Sequence, residues 1–168
     1  SMGTFGIYAH LLKTGKGEEK AGVTPTGANT ANYQYDSGLL LECKTEGEKV
    51  NFHFTKATPD AKSFKFAMLI PMSFNQGGRF AFDSSPLAPL PFDKGGQFVR
   101  NGNARTFTVV DPSNQGFVLT SPGGYNELQD NRAFGWAVFG YHYYLDLNGK
   151  PEGWFSFSVK PYSSPAPA

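Results

Sequence analysis

The sequence predicts an all-β chain folded as an antiparallel β-sandwich of jelly-roll type, and three observations carry that prediction. Apolar and aromatic residues alternate with period two in run after run, as in Phe52/Phe54, Phe64/Phe66/Met68/Ile70 and Phe155/Phe157/Val159. The 20 glycines and 12 prolines fall mostly between these runs, where turns need them. No segment of helical length carries a clean apolar stripe. Many short strands with regular turn signals point to a sandwich, and the lack of an internal repeat argues against a propeller or solenoid.

In chain order the expected strands are 4–12 (TFGIYAHLL), 38–44 (GLLLECK), 49–56 (KVNFHFTK), 63–70 (SFKFAMLI) and 79–83 (RFAFD). They continue with 97–101 (QFVRN), 105–110 (RTFTVV), 116–121 (GFVLTS), 134–147 (FGWAVFGYHYYLDL) and 153–160 (GWFSFSVK). Two long stretches lie between them. Residues 13–37 are polar and rich in Gly, Thr and Asn, which reads as a mobile or partly disordered loop. Residues 84–96 (SSPLAPLPFDKGG) are stiffened by proline and carry Leu87, Leu90 and Phe92, so they are expected to pack across one mouth of the sandwich. Residues 1–161 read as a single domain and 162–168, ending in SSPAPA, as a Pro/Ser/Ala linker stub cut from a longer chain. The Ser-Met-Gly start looks like a cloning remnant, so a native leader would have been removed with it.

The last two strands flank the turn-like NGKPE and are expected to form a hairpin. An antiparallel register places Leu147 near Gly153, Leu145 opposite Phe155, Tyr143 opposite Phe157 and Tyr141 opposite Val159. A slip of one residue would flip one strand, so this apolar face fixes the register. The other face then carries Trp154, Tyr144, His142 and Asp146 with Ser156 and Ser158. An outward tryptophan beside short polar side chains suits a sugar, whose C–H face stacks on a ring while its hydroxyls need fixed donors and acceptors. The same rings could instead lie under a second sheet or the 84–96 loop, or form a protein contact.

Asp130 and Arg132 form a second candidate cluster with Asn131, just ahead of a long aromatic strand. They suit a turn, with Asp130 accepting backbone N–H groups and Arg132 pairing with a carboxylate. They also suit polar contacts to a sugar or oxygen ligation of a structural calcium ion. DLNG at 146–149 lacks the later Glu and repeated Asp of a calcium loop, and reads as a turn.

Composition narrows the function classes. A net charge of +1 gives no electrostatic case for nucleic acid or an acidic membrane. No apolar run approaches the roughly 20 residues of a membrane helix. The single Cys43 excludes an intrachain disulfide and reads as a buried free thiol. The three histidines, His10, His53 and His142, lack metal-ligand spacing. There is no G-x-S-x-G, Cys/His signature or P-loop. Glu42, Glu46, Glu48, Glu127 and Glu152 could supply two carboxylates for glycoside hydrolysis, but none sits in a segment with the look of a rigid cleft floor.

LQDNR leading into an aromatic strand, the closing GWFSFSVKP and the Pro/Ser/Ala tail together make the chain resemble a non-catalytic β-sandwich domain of bacterial polysaccharide-degrading enzymes, of the kind that serves as a carbohydrate-binding module. The resemblance implies a secreted, monomeric domain that binds a polysaccharide or oligosaccharide, with a catalytic domain on the same chain. It implies no cofactor beyond a structural calcium ion, and no nucleic-acid or membrane partner. A lone strong Trp platform departs from the row of rings used on crystalline polysaccharide, which favours soluble or single-chain glycans. A glycoside hydrolase or polysaccharide lyase of sandwich fold, or a purely structural accessory domain, are the alternative expectations.

Overall fold

Strands with an apolar residue at every second position each have one face that water must not reach, and the chain meets that need by curling one sheet back on itself. The structure, a computed structural model, describes residues 7–15 and 17–163. Its strands are β1 (Ile7–Lys13), β2 (Gly17–Glu19), β3 (Gly22–Gly27), β4 (Thr30–Gln34), β5 (Leu40–Glu46), β6 (Lys49–Thr55) and β7 (Ala61–Pro71). They continue with β8 (Arg79–Phe82), β9 (Ala88–Pro89), β10 (Phe98–Val110), β11 (Gly116–Asp130), β12 (Val138–Asp146) and β13 (Gly153–Pro161). Short 3-10 turns at Met72–Phe74 and Asn131–Phe134 are the described residues' helical elements. All described pairings are antiparallel, in the order β2-β1-β7-β12-β11-β13-β6-β5-β4-β3, with β10, β8 and β9 branching from β11. The all-β expectation holds, but the strands form one hydrogen-bonded, curled sheet where two separate sheets were expected.

The curl is made by the long β10–β11 pair. The C-terminal half of β11 (Tyr125–Asp130) pairs with β12, and its N-terminal half (Phe117–Thr120) pairs with β13. Between the halves the backbone bends at Gly123 and Gly124, both in the positive-φ region where a side chain would be strained. A methyl on Gly124 would also press 2.9 Å from the Tyr144 carbonyl. Buried polar groups stitch the bend: the Tyr143 hydroxyl donates to the Gly123 carbonyl (2.6 Å), and Asn126 donates to Ala104 and Gly124 (3.0 and 2.9 Å). The bend therefore ends no strand.

The core lies between the two arms. Phe66 on β7 meets Phe52 on β6 and Phe155 and Phe157 on β13, with centroids 4.9–5.6 Å apart. Tyr143 on β12 meets Phe157 edge-on at 5.4 Å, and Tyr141 stacks on Phe107 at 4.1 Å. Phe52, Phe54, Phe64, Phe66 and Phe157 are buried, as alternation predicted. Because the arms meet through these faces, their other faces point to opposite sides of the molecule.

Several expectations are corrected. Strands 134–147 and 153–160 are not a hairpin: β12 lies between β7 and β11, and β13 between β6 and β11. Leu145 thus faces Phe64 of β7 across the ladder, and Phe155 faces Phe52 of β6. NGKPE carries the chain from one arm to the other, with Ala57 donating to the Pro151 carbonyl (3.1 Å). The proposed loop 13–37 contains β2 and β3, the two solvent-facing edge strands, and β4, half-buried between β3 and β5; their polar composition hid their extended backbone. The segments 97–101 and 105–110 are one bent strand, and 116–121 runs on to Asp130. In 84–96, Leu90 is buried and Ala88 packs against the core, Leu87 is half-buried and Phe92 is exposed, so that segment covers the core but leaves its aromatic in water. Cys43 is half-buried against the core, and burial pushes its thiol up. Tyr162 and Ser163 are the described part of the tail; 164–168, and 4–6 of the first expected strand, lie outside the described residues.

Candidate functional site

Trp154 stands 76% exposed on the outer face of β13. Neither the 84–96 loop nor a second layer covers it. The ladder sets it in a row with His53 on β6, Glu42 on β5 and Asn32 on β4. Its indole stacks on the His53 ring at 4.0 Å and 13°, so one ring face is backed and the other is open. His53 is held in turn by Glu42 (Nδ1 to Oε1, 3.3 Å) and lies 3.8 Å from Glu152. In the next row the Ser156 hydroxyl donates to Asn51 (2.6 Å), followed by Lys44 and Thr30. These rows line an open groove of about 470 Å³, within the range of small-ligand sites.

Tyr144 and His142, expected beside Trp154, lie on the opposite outer face. Adjacent strands bring Tyr144 next to Lys65 on β7 and Tyr125 on β11, with the two tyrosine rings 5.7 Å apart. His142 stands between Ala67 and Glu127, its Nδ1 3.5 Å from the Glu127 carboxylate. Burial, reinforced by Lys65, holds the His142 imidazole below its ordinary range, with Glu127 pulling the other way. Burial, with Glu127 adding to it, pushes the Tyr144 hydroxyl up. Further along, Glu18 on β2 accepts from Lys65 (2.6 Å) and contacts His10 (3.1 Å); the Lys65 hydrogen bond outweighs burial and lowers its carboxyl.

The remaining candidates are spent locally. Asp146 accepts from the Asn148 amide (2.7 Å) at the exposed DLNG turn. Asp130 is 1% exposed and takes three hydrogen bonds from Arg132: Nε to Oδ1 at 2.8 Å, Nη2 to Oδ2 at 2.7 Å and the backbone N–H to Oδ1 at 3.1 Å. Burial alone would raise the Asp130 carboxyl, but the Arg132 hydrogen bonds outweigh it and hold it below the usual range. The guanidinium's other donors reach the carbonyls of Phe92 (2.7 Å) and Pro91 (3.1 Å), so the pair clamps the 91–93 backbone to the 3-10 turn. Of the six predicted residues, Trp154 alone lies in the groove.

Sequence reasoning weighed His53 as a metal ligand and Glu42 as a catalytic carboxylate but placed neither of them, nor Asn51, beside Trp154. Alternation does send His53 and Asn51 outward from Phe52 and Phe54, so the signal for their facing was present. What was absent was any sign that β6 is the neighbour of β13. Among the described residues no group of three or more His, Cys, Asp or Glu side chains is placed to hold a metal ion. No described helix is long and apolar enough to cross a membrane.

No protein-family model matches the sequence, and no curated protein is significantly similar to it. Among solved structures the fold is similar to that of a protein provisionally assigned as an aldose 1-epimerase from Escherichia coli K12, with a TM-score of 0.56 and 10% identity over 85% of this chain and 68% of that one. At that identity the likeness is one of fold: a β-rich, curled antiparallel sheet.

Proposed function

We propose that the protein is a carbohydrate-binding domain that stacks a sugar of a neutral glycan chain on Trp154. The single observation that carries this reading is a highly exposed indole held rigid, by a 4.0 Å stack on His53, at the edge of a polar groove. Leaving a Trp in water forgoes roughly 2–3 kcal/mol of burial. Holding it still in advance lowers the ordering cost of binding. Asn51, Asn32, Lys44 and Glu42 line the groove beside the ring with donors and acceptors. Likeness in fold to a protein assigned to act on aldoses supports a sugar ligand. The curled sheet then serves as the sandwich-type, jelly-roll-like scaffold of an accessory module, secreted as a monomer on the same chain as a polysaccharide-degrading domain.

Affinity electrophoresis through gels containing plant and algal polysaccharides tests this, with product analysis of every polymer that retards the protein. The reading expects retardation by at least one neutral polymer without released product, with an affinity in the range of roughly −4 to −8 kcal/mol. Turnover of the retarding polymer would assign a glycoside hydrolase or lyase instead.

A further inference from the structure

A second hollow lies where β8, β9 and the start of β10 meet the loop that Arg132 clamps. It measures about 300 Å³ and shares no residue with the Trp154 groove. Phe80 on β8, Pro89 on β9, Pro91, and Phe98, Val99 and Arg100 on β10 line it. Successive strand residues should alternate sides, yet Val99 and Arg100 turn the same way. The ladder explains this: Phe98 pairs with Gln129 and Arg100 with Leu128, which leaves Val99 as the extra residue of a β-bulge. Val99 packs against the core, and the Arg100 guanidinium lies 4.9 Å over the ring of buried Phe80. The bulge thus turns a cation inward, at the edge of an apolar wall.

That cation has an aromatic ring for company and, among the described residues, no carboxylate. Stacking uses the face of the guanidinium and leaves its N–H edges free. None of its nitrogens is sealed without a partner, since Ser37 Oγ is the one such side-chain atom among the described residues, so these edges open to solvent. Asp130 also lines the hollow, but Arg132 engages both its oxygens. Lys94 bears on the same carboxyl and adds positive charge. A free guanidinium edge suits a carboxylate, which it holds through two parallel hydrogen bonds. The rest of the lining selects what the carboxylate is attached to. Phe80, Phe98, Val99 and the two prolines are apolar, and no lining residue carries a hydroxyl or amide side chain to serve the hydroxyls of a sugar. The volume is at the small end for ligand pockets and takes one ring, not a chain. Gly95 and Gly96 leave the rim open, with nothing within 4 Å of where a methyl group would stand.

We propose that this hollow is a second binding site, for a small aromatic carboxylate, in which Arg100 holds the carboxylate and Phe98 and the prolines flank the ring. It does not depend on the Trp154 groove. The test uses isotope-labelled Trp154→Ala protein, so that stacking in the groove contributes nothing, titrated with benzoate, benzamide and glucuronate at equal ionic strength. Nuclear magnetic resonance reads the Val99 methyls and the Arg100 Nε–H. Saturable shifts of both are expected with benzoate, at millimolar dissociation constants. Benzamide has the ring without the charge, and glucuronate has the charge without the flat apolar body. Each should bind about tenfold or more weakly than benzoate. Arg100→Gln should abolish the Val99 shift with benzoate, and Arg100→Lys, which keeps the charge but not the fork, should retain it at lower affinity. Phe98→Ser removes a half-exposed wall and should also weaken benzoate; it decides the matter if Arg100→Gln perturbs the spectrum beyond its neighbours. Absence of saturable shifts with benzoate, equal affinity for benzamide or glucuronate, or benzoate binding unchanged in Arg100→Gln or Phe98→Ser would overturn the second site. None of these results touches the Trp154 groove, which is read with polymers in the unsubstituted protein.

Discussion

The two outer faces of the curled sheet obey the same alternation and share one core, yet they present different chemistry. On the arm of β3, β4, β5, β6 and β13, one large ring stands in water, and the charged groups around it, Glu42 and Lys44 among them, are exposed. On the arm of β2, β1, β7, β12 and β11, charges are matched across strands: His142 with Glu127, both largely covered, and the exposed Glu18 with Lys65 and His10. The first face is suited to stacking, where affinity comes from apolar contact and changes little with salt. The second satisfies its charged groups internally, through pairs between neighbouring strands. What separates them is the partner strand beside each ring, since both arms draw on the same residue types.

Phe66 is the shared foundation, and its removal is the largest expected effect. Phe66→Ala takes away ring contacts to β6, β7, β12 and β13 together and should cost about 3–5 kcal/mol. Against a typical total of roughly 5–15 kcal/mol, chemical denaturation should show a protein near the edge of folding. A denaturation midpoint equal to that of the unsubstituted protein would mean that the arms do not share a core.

The next effect separates the faces. Asp130→Asn weakens the clamp that holds the 91–93 backbone and the Asn131 turn, and should cost about 2–4 kcal/mol, because Arg132 keeps a charge with poorer company. The sign with pH follows from a folded-state carboxyl lowered below its unfolded value near 3.9. Its stabilisation is complete above the unfolded value and is lost as pH falls through the folded one. Urea midpoints of the two proteins should therefore differ at pH 7 and draw together in strong acid. A constant difference across that range would contradict the ion pair.

His142 should give a smaller effect of the same direction at higher pH. Its folded value lies below the unfolded value near 6.5, so the stability of the neutral ring is full above that pH and declines as pH falls below it. The groups that face it are Glu127 on β11, Lys65 on β7 and Glu18 on β2. His142→Phe should flatten the stability profile between neutrality and pH 5. An unchanged profile would mean that the imidazole is not held neutral.

Facing was legible in the sequence and partnership was not. Period two is a property of one strand, so it correctly sent Trp154 out and Tyr143, Phe155 and Phe157 in. Pairing depends on where the chain goes next, and NGKPE looks like a hairpin turn whether it joins neighbours or crosses between arms. Hence Trp154 was grouped with Tyr144 and His142, which share its direction within a strand and lie on the other side of the molecule. The strand expected to end at 121 runs on to Asp130, because Gly123 and Gly124 bend β11 without ending it. β2 and β3 carry no apolar alternation to detect because they are edge strands facing solvent, and β4, half-buried between β3 and β5, offers only Tyr33 and Ala31 as apolar signal. Asp130 and Arg132 were correctly placed at a turn, while the reach of Arg132 to the 91–93 carbonyls depends on a long-range approach that no local spacing encodes.

Trp154→Ala should change stability by no more than about 0.5 kcal/mol, since the side chain buries little. The most direct test of the stacking face is a fluorescence titration of Trp136→Phe, which leaves Trp154 as the sole indole, with the oligosaccharide of whichever polymer retards the protein. A saturable change in Trp154 emission is predicted, with the same dissociation constant in low and high salt and no binding by calorimetry once Trp154→Ala is introduced. Calorimetric binding of that oligosaccharide with Trp154 emission unchanged, or at full affinity in Trp154→Ala, would contradict it.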